Sequence, residues 1–393
     1  MVVQWSGHGR SAGWQHDLPC PTDRSSDLVV EVDGRPDADT LRGWDRLVSA
    51  TPGSDVAQLS AWAVVRREAG FSPCYVLARS GDTVLGGALV LYRKVPGVGL
   101  LGYLPFGPVL PANDQRHDAI GAVCDALADV ARRRFAGLFV QPMAGGAEVS
   151  GRLLQLGFRP STAGIAPAAS IAIDLARPID ALRADLRSGT RGNIKRAIAH
   201  GVRVRTGGEQ DLETVASLLR DTGEHHEFSA VSLPYLRTLY RELAPGGHLQ
   251  IFLAERDGTP VAADVLTSSG GVLTLRMTGM RRADDVRRSG AASLLRWESL
   301  VWAKAGGYDA VDLGGVPPSS VDAVRAGHKH LASRVDGRTY YKASFGGEAF
   351  HRPPAVELLS SPVARLGYDL AQRSTVGTRV VGCVQRLLRG SAR

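Results

Sequence analysis

Four basic residues lie close together near the middle of the chain and could bind a polyanion. They are Arg187, Arg191, Lys195 and Arg196. The first three are spaced by four and would share one helix face if the helix continues through Gly189. Like charges on one face cost stability unless an anion neutralises them, and a nucleic-acid phosphate backbone would do so. The alternative is an ordinary solvated helix face.

A second motif could hold a phosphate ester. Arg287-Arg-Ser-Gly290-Ala-Ala292 fits the pyrophosphate loop of acetyl-CoA-binding GNAT enzymes, Arg/Gln-x-x-Gly-x-Gly/Ala, and precedes a predicted helix. Backbone N–H groups and the helix dipole would bind phosphate at such a position. The motif keeps an acyl-CoA-dependent N-acyltransferase open as an alternative function, although so short a pattern often arises by chance.

Residues that could form a metal site or a covalent nucleophile do not occur in useful arrangements. Two histidine pairs lack a third ligand at metal-binding spacing, and the four cysteines form no C-x-x-C pair. These pairs are His225-His226 and His328-x-His330. Asp309 and Asp312 bracket a predicted strand end, where they could position an amine or form a turn. We expect no bound metal and no cofactor.

Length and charge narrow the class of protein. The chain has 393 residues, enough for two or three domains, and 44% hydrophobic residues, as in ordinary soluble proteins. Its formal net charge of +8 suits a polyanionic partner such as nucleic acid, anionic lipid or a phosphorylated substrate. No apolar run approaches the ~20 residues that span a bilayer, and scattered cysteines are typical of reduced cytosolic proteins. We therefore expect a cytoplasmic protein.

Two parts of the chain repeat the same order of predicted elements. The strand–turn–strand segment 76–83 aligns without gaps with segment 252–259, and each is followed by strand, helix and strand. A repeat found only twice indicates duplication rather than a solenoid. Strands mixed with long helices predict an α/β (α+β) fold, with mixed sheets flanked by helices. Thr339–Phe345 is predicted to be one of the last strands.

The repeat and the composition divide the chain into four predicted parts. They are a disordered segment at 1–27, a first domain at 28–168, a second domain at 169–350 and a basic helical segment at 351–393. Residues Pro362–Arg393 contain six Arg and one Asp, beside an apolar stripe. We expect this segment to pack on the first domain; the alternative is peripheral contact with the anionic inner face of the membrane.

Five short segments, in order along the chain, match the sequence patterns of one protein family. They are Gln58–Arg66, in which Trp62 precedes a basic residue by four; Tyr103-Leu-Pro-Phe-Gly-Pro108; the basic segment Thr190–Val202; Leu295–Gly315; and Tyr341-Lys342-Ala-Ser-Phe345-Gly-Gly347. Together they resemble the Fem-type aminoacyltransferases, which have two tandem GNAT-like domains. The series runs in the family's order along most of the chain, from about Ser54 to Gly347.

The resemblance implies transfer of an amino acid from aminoacyl-tRNA to an acceptor amine by ester aminolysis. The acceptor would be a peptidoglycan precursor, as in interpeptide bridge formation, or a small-molecule intermediate of antibiotic biosynthesis. This reaction needs orientation and oxyanion stabilisation more than a covalent nucleophile. By resemblance, Lys342 would place its ammonium at the oxyanion. The alternative is a lysine at a strand end that extends to solvent.

The resemblance also implies binding residues. Arg66 would contact acceptor phosphates, since a guanidinium can bind them through two hydrogen bonds, although a solvated surface arginine is the alternative. The basic cluster would bind tRNA. The substrate-binding positions implied are Trp62, Arg66, Tyr103, Asp114, Tyr235 and Tyr341.

Two positions depart from the family pattern. Val231 stands four residues before Tyr235, where many members have Arg, and Phe106 replaces the Arg of a Pro-Arg-Gly-Pro loop. Both changes remove an anion-binding side chain, which favours a smaller and less charged acceptor. A non-enzymatic RNA-binding protein is a further alternative, but the aromatic residues are few and no RNA-binding motif is recognisable.

Overall fold

The computed structural model describes residues 28–110, 116–226, 231–281, 288–327, 331–373 and 382. They form two seven-stranded mixed sheets with helices packed against them. The predicted α/β class with mixed sheets is therefore confirmed. The predicted disordered segment 1–27 lies outside the described residues. No helix among the described residues is long and apolar enough to cross a membrane.

The first sheet is built mainly from the first half of the chain. Its elements are β1 (Leu28–Asp33), α1 (Ala38–Ala50), α2 (Ser60–Arg67), β2 (Ser72–Ser80), β3 (Thr83–Val95), β4 (Gly99–Pro105), α3 (Arg116–Arg134), β5 (Gly137–Gln141), α4 (Ala147–Gln155) and β6 (Arg159–Pro160). The β2–β3 hairpin turns at Gly81, which adopts a φ of 56° that glycine tolerates without strain. The chain then crosses through α3, so that β4 and β5 pair in parallel.

The second sheet repeats this arrangement. Its elements are β7 (Ala169–Asp174), α5 (Ile179–Asp185), α6 (Ser188–Ala199), β8 (Arg203–Thr206), α7 (Leu212–His226), α8 (Leu233–Leu243), β9 (Leu249–Arg256), β10 (Thr259–Ser269), β11 (Val272–Met280), α9 (Ala291–Ala305), β12 (Ala310–Gly315), α10 (Val321–Arg325), α11 (Gly337–Ala343) and β13 (Glu348–His351). The hairpin β9–β10 corresponds to β2–β3, and the parallel pair β11–β12, joined through α9, corresponds to β4–β5. The strand order is β13-β7-β12-β11-β10-β9-β8.

The chain returns to the first sheet after β13. Strand β14 (Val356–Leu359) lies between β5 and β6 and pairs antiparallel with both, and α12 (Pro362–Arg373) follows it. The segment from 351 onward is thus not wholly helical. Val356 and Leu358 enter the core of the first sheet, while the buried Glu357 carboxylate accepts a hydrogen bond from Arg159 Nε at 3.0 Å. These partners stabilise a strand that is too short to stand out in the sequence.

A second correction concerns Thr339–Phe345, which the sequence predicted as a strand. Residues 337–343 form helix α11 instead. The Asp336 carboxylate caps this helix by accepting hydrogen bonds from the backbone N–H groups of Arg338 at 2.9 Å and Thr339 at 3.1 Å. Such a cap satisfies N–H groups that otherwise lack partners at a helix start. The aromatic residues that suggested a strand therefore lie on a helix.

The two sheets contact each other through a polar seam. Gly53 N donates to Gly270 O at 2.9 Å, and Ser54 and Ser269 join through their hydroxyls at 2.7 Å. Arg276 of β11 donates to Asp55 Oδ1 at 2.5 Å. Because all these groups are buried or half-buried, the seam holds β11 against the first half of the chain.

Candidate functional site

The second sheet has a gap between its two parallel strands. Strands β11 and β12 pair only from Val272↔Ala310 to Thr274↔Asp312, although β11 continues to Met280. The side chains from Thr274 to Thr278 are all half-buried. In this part of the described chain, β11 has no strand partner on the side of β12. We call the space beyond Thr274 and Asp312 the β11–β12 gap.

Lys342 lies at this gap. Helix α11 is short, and its last turn carries Lys342 toward the end of β12, where Nζ donates a hydrogen bond to Gly315 O at 2.8 Å. A Cβ atom placed on Gly314 would lie 3.4 Å from Lys342 Nζ and 3.1 Å from Leu275 O of β11. The ammonium is therefore beside the point at which the two strands stop pairing.

The surroundings of Lys342 lower its pKa from 10.5 to about 8. Burial is the largest cause, because it disfavours the charged form, and the positive charge of Arg296 acts in the same direction. The carboxylate of Asp312 opposes both effects. With a pKa near 8, the amine is mostly protonated at neutral pH and can still exchange its proton there.

Asp312 is fixed by three hydrogen bonds. Its Oδ1 accepts from the Ser170 hydroxyl and from Gly314 N, the latter at 2.8 Å, and its Oδ2 accepts from Arg352 Nη2 at 2.7 Å. With both oxygens occupied, the carboxylate shapes the Gly314 turn, where φ is 83°. The structure therefore favours turn formation over direct binding of an amine by Asp312.

A buried ion pair lies under the site. Arg296 of α9 donates from Nε and Nη2 to the two oxygens of Asp264 on β10, each at 2.9 Å. Tyr341, next to Lys342, donates its hydroxyl to Ala292 O of the same helix at 2.9 Å. Burial raises the pKa of Tyr341 to about 12, so its hydroxyl stays protonated. Helix α11 is thereby attached to α9.

Trp62 and Arg66, both implied as substrate-binding, lie on α2 but in different surroundings. Trp62 is half-buried where the cores of the two halves meet, and its ring faces the Arg276 guanidinium at 5.8 Å. Arg66 is only 5% exposed and stacks over the Phe71 ring at 4.3 Å. A guanidinium buried in this way is not presented to a phosphate, so the structure favours a packing role for Arg66.

The other implied binding residues are also away from solvent or not described. Tyr103 is buried on β4 and packs with Phe106. Tyr235 is buried on α8 in an apolar cluster with residues of α7. Asp114 lies outside the described residues. Of the implied substrate-binding side chains that the structure describes, only Tyr341 is brought next to Lys342.

The basic cluster is divided by the fold. Arg187 precedes α6 and lies over the Tyr340 ring at 5.2 Å, while Arg191 donates to the carbonyl of Ala184 at 3.1 Å. Lys195 and Arg196 are exposed on α6. The helix does continue through Gly189, since it begins at Ser188. The cluster therefore offers fewer free charges than four basic residues suggest.

The predicted pyrophosphate loop lies at the start of α9, where space is limited. Arg287 lies outside the described residues. Gly290 packs so closely on α6 that a Cβ atom there would be 2.2 Å from Asn193 O, and Ser289 and Ala291 are buried. This packing covers the first turn of α9 and argues against phosphate binding by its N–H groups.

No group of three or more His, Cys, Asp or Glu residues within the described ranges could hold a metal ion. The side chains of His225 and His226, and residues 328–330, are not described. Sequence analysis missed Arg296, Asp264 and Arg352 as neighbours of the site. The segment Leu295–Gly315 did contain Arg296, but its partner lies on a strand 32 residues earlier, which no local pattern indicates.

Comparison with known sequences identifies related proteins. Residues 184–343 match the family described as an acetyltransferase (GNAT) domain. The lipid II:glycine glycyltransferase of Staphylococcus saprophyticus is 25% identical over 238 residues, which are 58% of this chain and 57% of that protein. The protein of the same name from Staphylococcus aureus MRSA252 is 24% identical over 54% of this chain and 53% of that protein. The chain thus matches little more than half the length of these relatives.

Comparison with solved structures shows the fold. The crystal structure of FemX superposes with a TM-score of 0.71 at 17% identity, covering 86% of this chain and 99% of that one. The structure of L-PGS from Bacillus licheniformis gives a TM-score of 0.54 at 13% identity, covering 90% and 97%. A tandem GNAT protein from the clavulanic acid biosynthesis pathway gives 0.51 at 15% identity, covering 86% and 99%. The expected tandem GNAT-like architecture is therefore confirmed.

Proposed function

Because the chain belongs to the Fem-type family with tandem GNAT-like domains, we propose that it is an acyltransferase that moves an aminoacyl group from aminoacyl-tRNA to an acceptor amine. One observation supports this proposal above the others: the Lys342 ammonium stands at the β11–β12 gap, held by Gly315 O at 2.8 Å. A half-buried cation beside unpaired strand backbone suits an ester carbonyl that develops negative charge.

The chemistry at this position would be aminolysis. The neutral acceptor amine attacks the ester carbonyl, a C–N bond forms, and the carbonyl oxygen becomes an oxyanion that Lys342 stabilises. The intermediate then collapses, the C–O bond to the tRNA ribose breaks, and the proton lost by the amine ends on the departing hydroxyl. A single well-placed oxyanion donor contributes about 3–4 kcal/mol to such a reaction.

The relatives favour a cell-wall acceptor. Two of them are named for glycine transfer to lipid II, a peptidoglycan precursor. We therefore take a peptidoglycan-precursor amine as the first candidate acceptor, in interpeptide bridge formation.

A smaller acceptor is the second candidate, and one observation favours it. Phe106 is buried and Val231 is half-buried within an apolar cluster, so neither position offers a cation to a pyrophosphate. An amine from antibiotic biosynthesis would not need one.

Two surfaces suit the proposed partners. Exposed Lys195 and Arg196 on α6 lie on the same half of the chain as Lys342 and could contact the tRNA backbone. Leu366 and Leu370 of α12 are 61% and 56% exposed, one helical turn apart. Such a pair supports peripheral contact of a cytoplasmic enzyme with an anionic membrane, and sedimentation with anionic and neutral vesicles would test it.

A transfer assay tests the main proposal. The purified protein is given a set of radiolabelled aminoacyl-tRNAs with lipid II, its soluble nucleotide-linked precursor or small diamines as acceptors. We expect labelled amide product from at least one charged tRNA, and loss of product in Lys342→Ala. Transfer from acetyl-CoA with none from any charged tRNA would instead support the acyl-CoA-dependent alternative.

A further inference from the structure

We propose that Arg352, which directly follows strand β13, is a positioning residue for Lys342 and acts through Asp312. Arg352 comes directly after β13, and its backbone N–H donates to Ala168 O at 2.8 Å. Its role as a positioning residue rests on the proposed function, because that function makes Lys342 catalytic. Its effect on Lys342 can be measured without any substrate.

The Arg352 side chain is held mainly by aromatic rings. Its guanidinium lies 4.8 Å from the ring of Phe106, in the first half of the chain, and 5.4 Å from that of Phe350. Within the described part of the chain, Nη2 makes an ion pair to Asp312 Oδ2 at 2.7 Å, and the buried Nε has no hydrogen-bond partner. The rings thus fix a guanidinium whose charge partner among the described residues is Asp312.

Asp312 acts on Lys342 in two ways. Its Oδ1 accepts from Gly314 N at 2.8 Å, which fixes the turn that presents Gly315 O to the ammonium. Its negative charge also favours the protonated form of Lys342. Because Arg352 both orients and neutralises this carboxylate, it limits how strongly the carboxylate attracts the ammonium.

Four charged groups face Lys342. Arg296 from α9 and Arg338 from α11 itself lower its pKa, and Asp312 from β12 and Asp336 at the start of α11 raise it. Removing the charge of Arg352 leaves Asp312 uncompensated, so the pKa of Lys342 should rise. Removing the charge of Asp312 should lower it. The two partners of one ion pair therefore have opposite predicted effects.

The titration of Lys342 can be followed directly. The chain has five lysines, at positions 94, 195, 304, 329 and 342. Acetic anhydride acylates only neutral amines, and peptide mass spectrometry reports the extent at each lysine as pH is varied. Lys94 and Lys195 are exposed and serve as internal references. No substrate is needed.

We expect Arg352→Gln to raise the midpoint of Lys342 by about one unit and Asp312→Asn to lower it by about one unit. Arg352→Lys keeps the charge and should leave the midpoint near that of the natural protein. Arg205→Gln is the matched control. Arg205 lies on β8, at the opposite edge of the second sheet from β13, and pairs with Asp211 at 2.7 Å. It should not shift the midpoint of Lys342.

Shifts of the same sign in Arg352→Gln and Asp312→Asn, or no shift in either, would overturn the proposal. Unfolding would instead move the titration midpoint of Lys342 to that of the reference lysines. An unfolded variant can therefore be identified from the same measurement. If Arg352→Gln does not fold, a Lys342 midpoint unchanged in Asp312→Asn overturns the proposal, and a lowered midpoint supports it. Failure of the proposed function is a separate result: no charged tRNA would give labelled product, while these titration shifts of Lys342 would persist.

Discussion

The two parallel strand pairs of the molecule differ at the same point of the repeated fold. In the first sheet, β4 and β5 pair from Leu101↔Gly137 to Pro105↔Gln141, and Gly107 N then donates to Gln141 O at 3.3 Å. In the second sheet, β11 and β12 stop pairing after Thr274↔Asp312. The first pair is closed by backbone hydrogen bonds, whereas the second opens into the β11–β12 gap.

This difference indicates different roles for two halves that share one architecture. A closed strand pair satisfies its own backbone groups and supports packing, as expected of a structural element. An open pair leaves room and polar backbone groups for a bound molecule, and Lys342 lies beside this one. The duplicated fold thus supports one proposed reaction site, not two.

The largest expected effect comes from removing the cation at the open pair. Lys342→Ala should lower kcat of the proposed transfer by roughly 100- to 1,000-fold, because the oxyanion loses its donor. Single-turnover transfer from the charged tRNA measures this. Lys94→Ala, at an exposed lysine on β3 of the first sheet, is the control and should leave kcat unchanged. Equal losses in both variants would contradict the distinction between the two sheets.

The pH dependence of the same reaction should report the lowered pKa of Lys342. With a pKa of about 8, the ammonium is present below pH 8 and is lost as pH rises through that value. Above pH 8, kcat should therefore fall by about tenfold per unit. Lys342→Arg stays charged throughout and should not show this decline. A decline at the same pH in Lys342→Arg would assign it to another group.

Matched glycine substitutions should separate the two strand pairs. Gly314→Ala puts a methyl group 3.1 Å from Leu275 O and 3.4 Å from Lys342 Nζ, at a φ of 83°. We expect kcat to fall about tenfold, which is about 1.4 kcal/mol. The kcat measurement is paired with thermal unfolding, and a Gly314→Ala protein with full activity would place the reaction elsewhere.

Gly102→Ala is the counterpart in the first sheet. Its methyl group would lie 3.0 Å from Leu138 Cδ1 and 3.1 Å from the Phe135 ring. Overpacking of this kind should cost about 1–3 kcal/mol of stability without changing kcat. Calorimetry and the transfer assay on one preparation distinguish the two outcomes.

The smallest effect is expected on the surface. Lys195→Ala should raise KM for the charged tRNA about threefold and reduce the slope of log affinity against log salt by about one. Arg46→Ala, at an exposed position on α1 in the first half, is the control and should change neither. An equal response to both substitutions would mean that tRNA contacts the two halves alike.

The family resemblance predicted the tandem fold and singled out Lys342 as the candidate catalytic residue. It did not predict the local structure around this lysine. Tyr340 and Tyr341 are residues that strands favour, and the sequence suggested a strand there. The Asp336 cap and its bonds to residues 338 and 339 determined a helix instead. An Asp three residues before a Thr is a signal that could have indicated this start.

The surroundings of the site could not be predicted from local sequence. Asp312 meets Ser170 and Arg352 across sequence distances of 142 and 40 residues, because β7 lies between β12 and β13 in the sheet. Arg66 was expected on a helix surface, but Phe71, beyond the helix end, packs beneath its guanidinium. Both facts depend on tertiary packing, which amphipathic spacing does not specify.

The position of β14 has a consequence for synthesis on the ribosome. Its partner strands β5 and β6 are made early, whereas Val356–Leu359 follow Gln141 by roughly 200 residues. At about 5–20 residues per second, the first sheet stays incomplete for roughly 10–40 seconds while the strands of the second sheet emerge. During this time β5 would present an unpaired apolar edge, the kind of surface that chaperones protect. Although it is translated first, the first sheet is completed last.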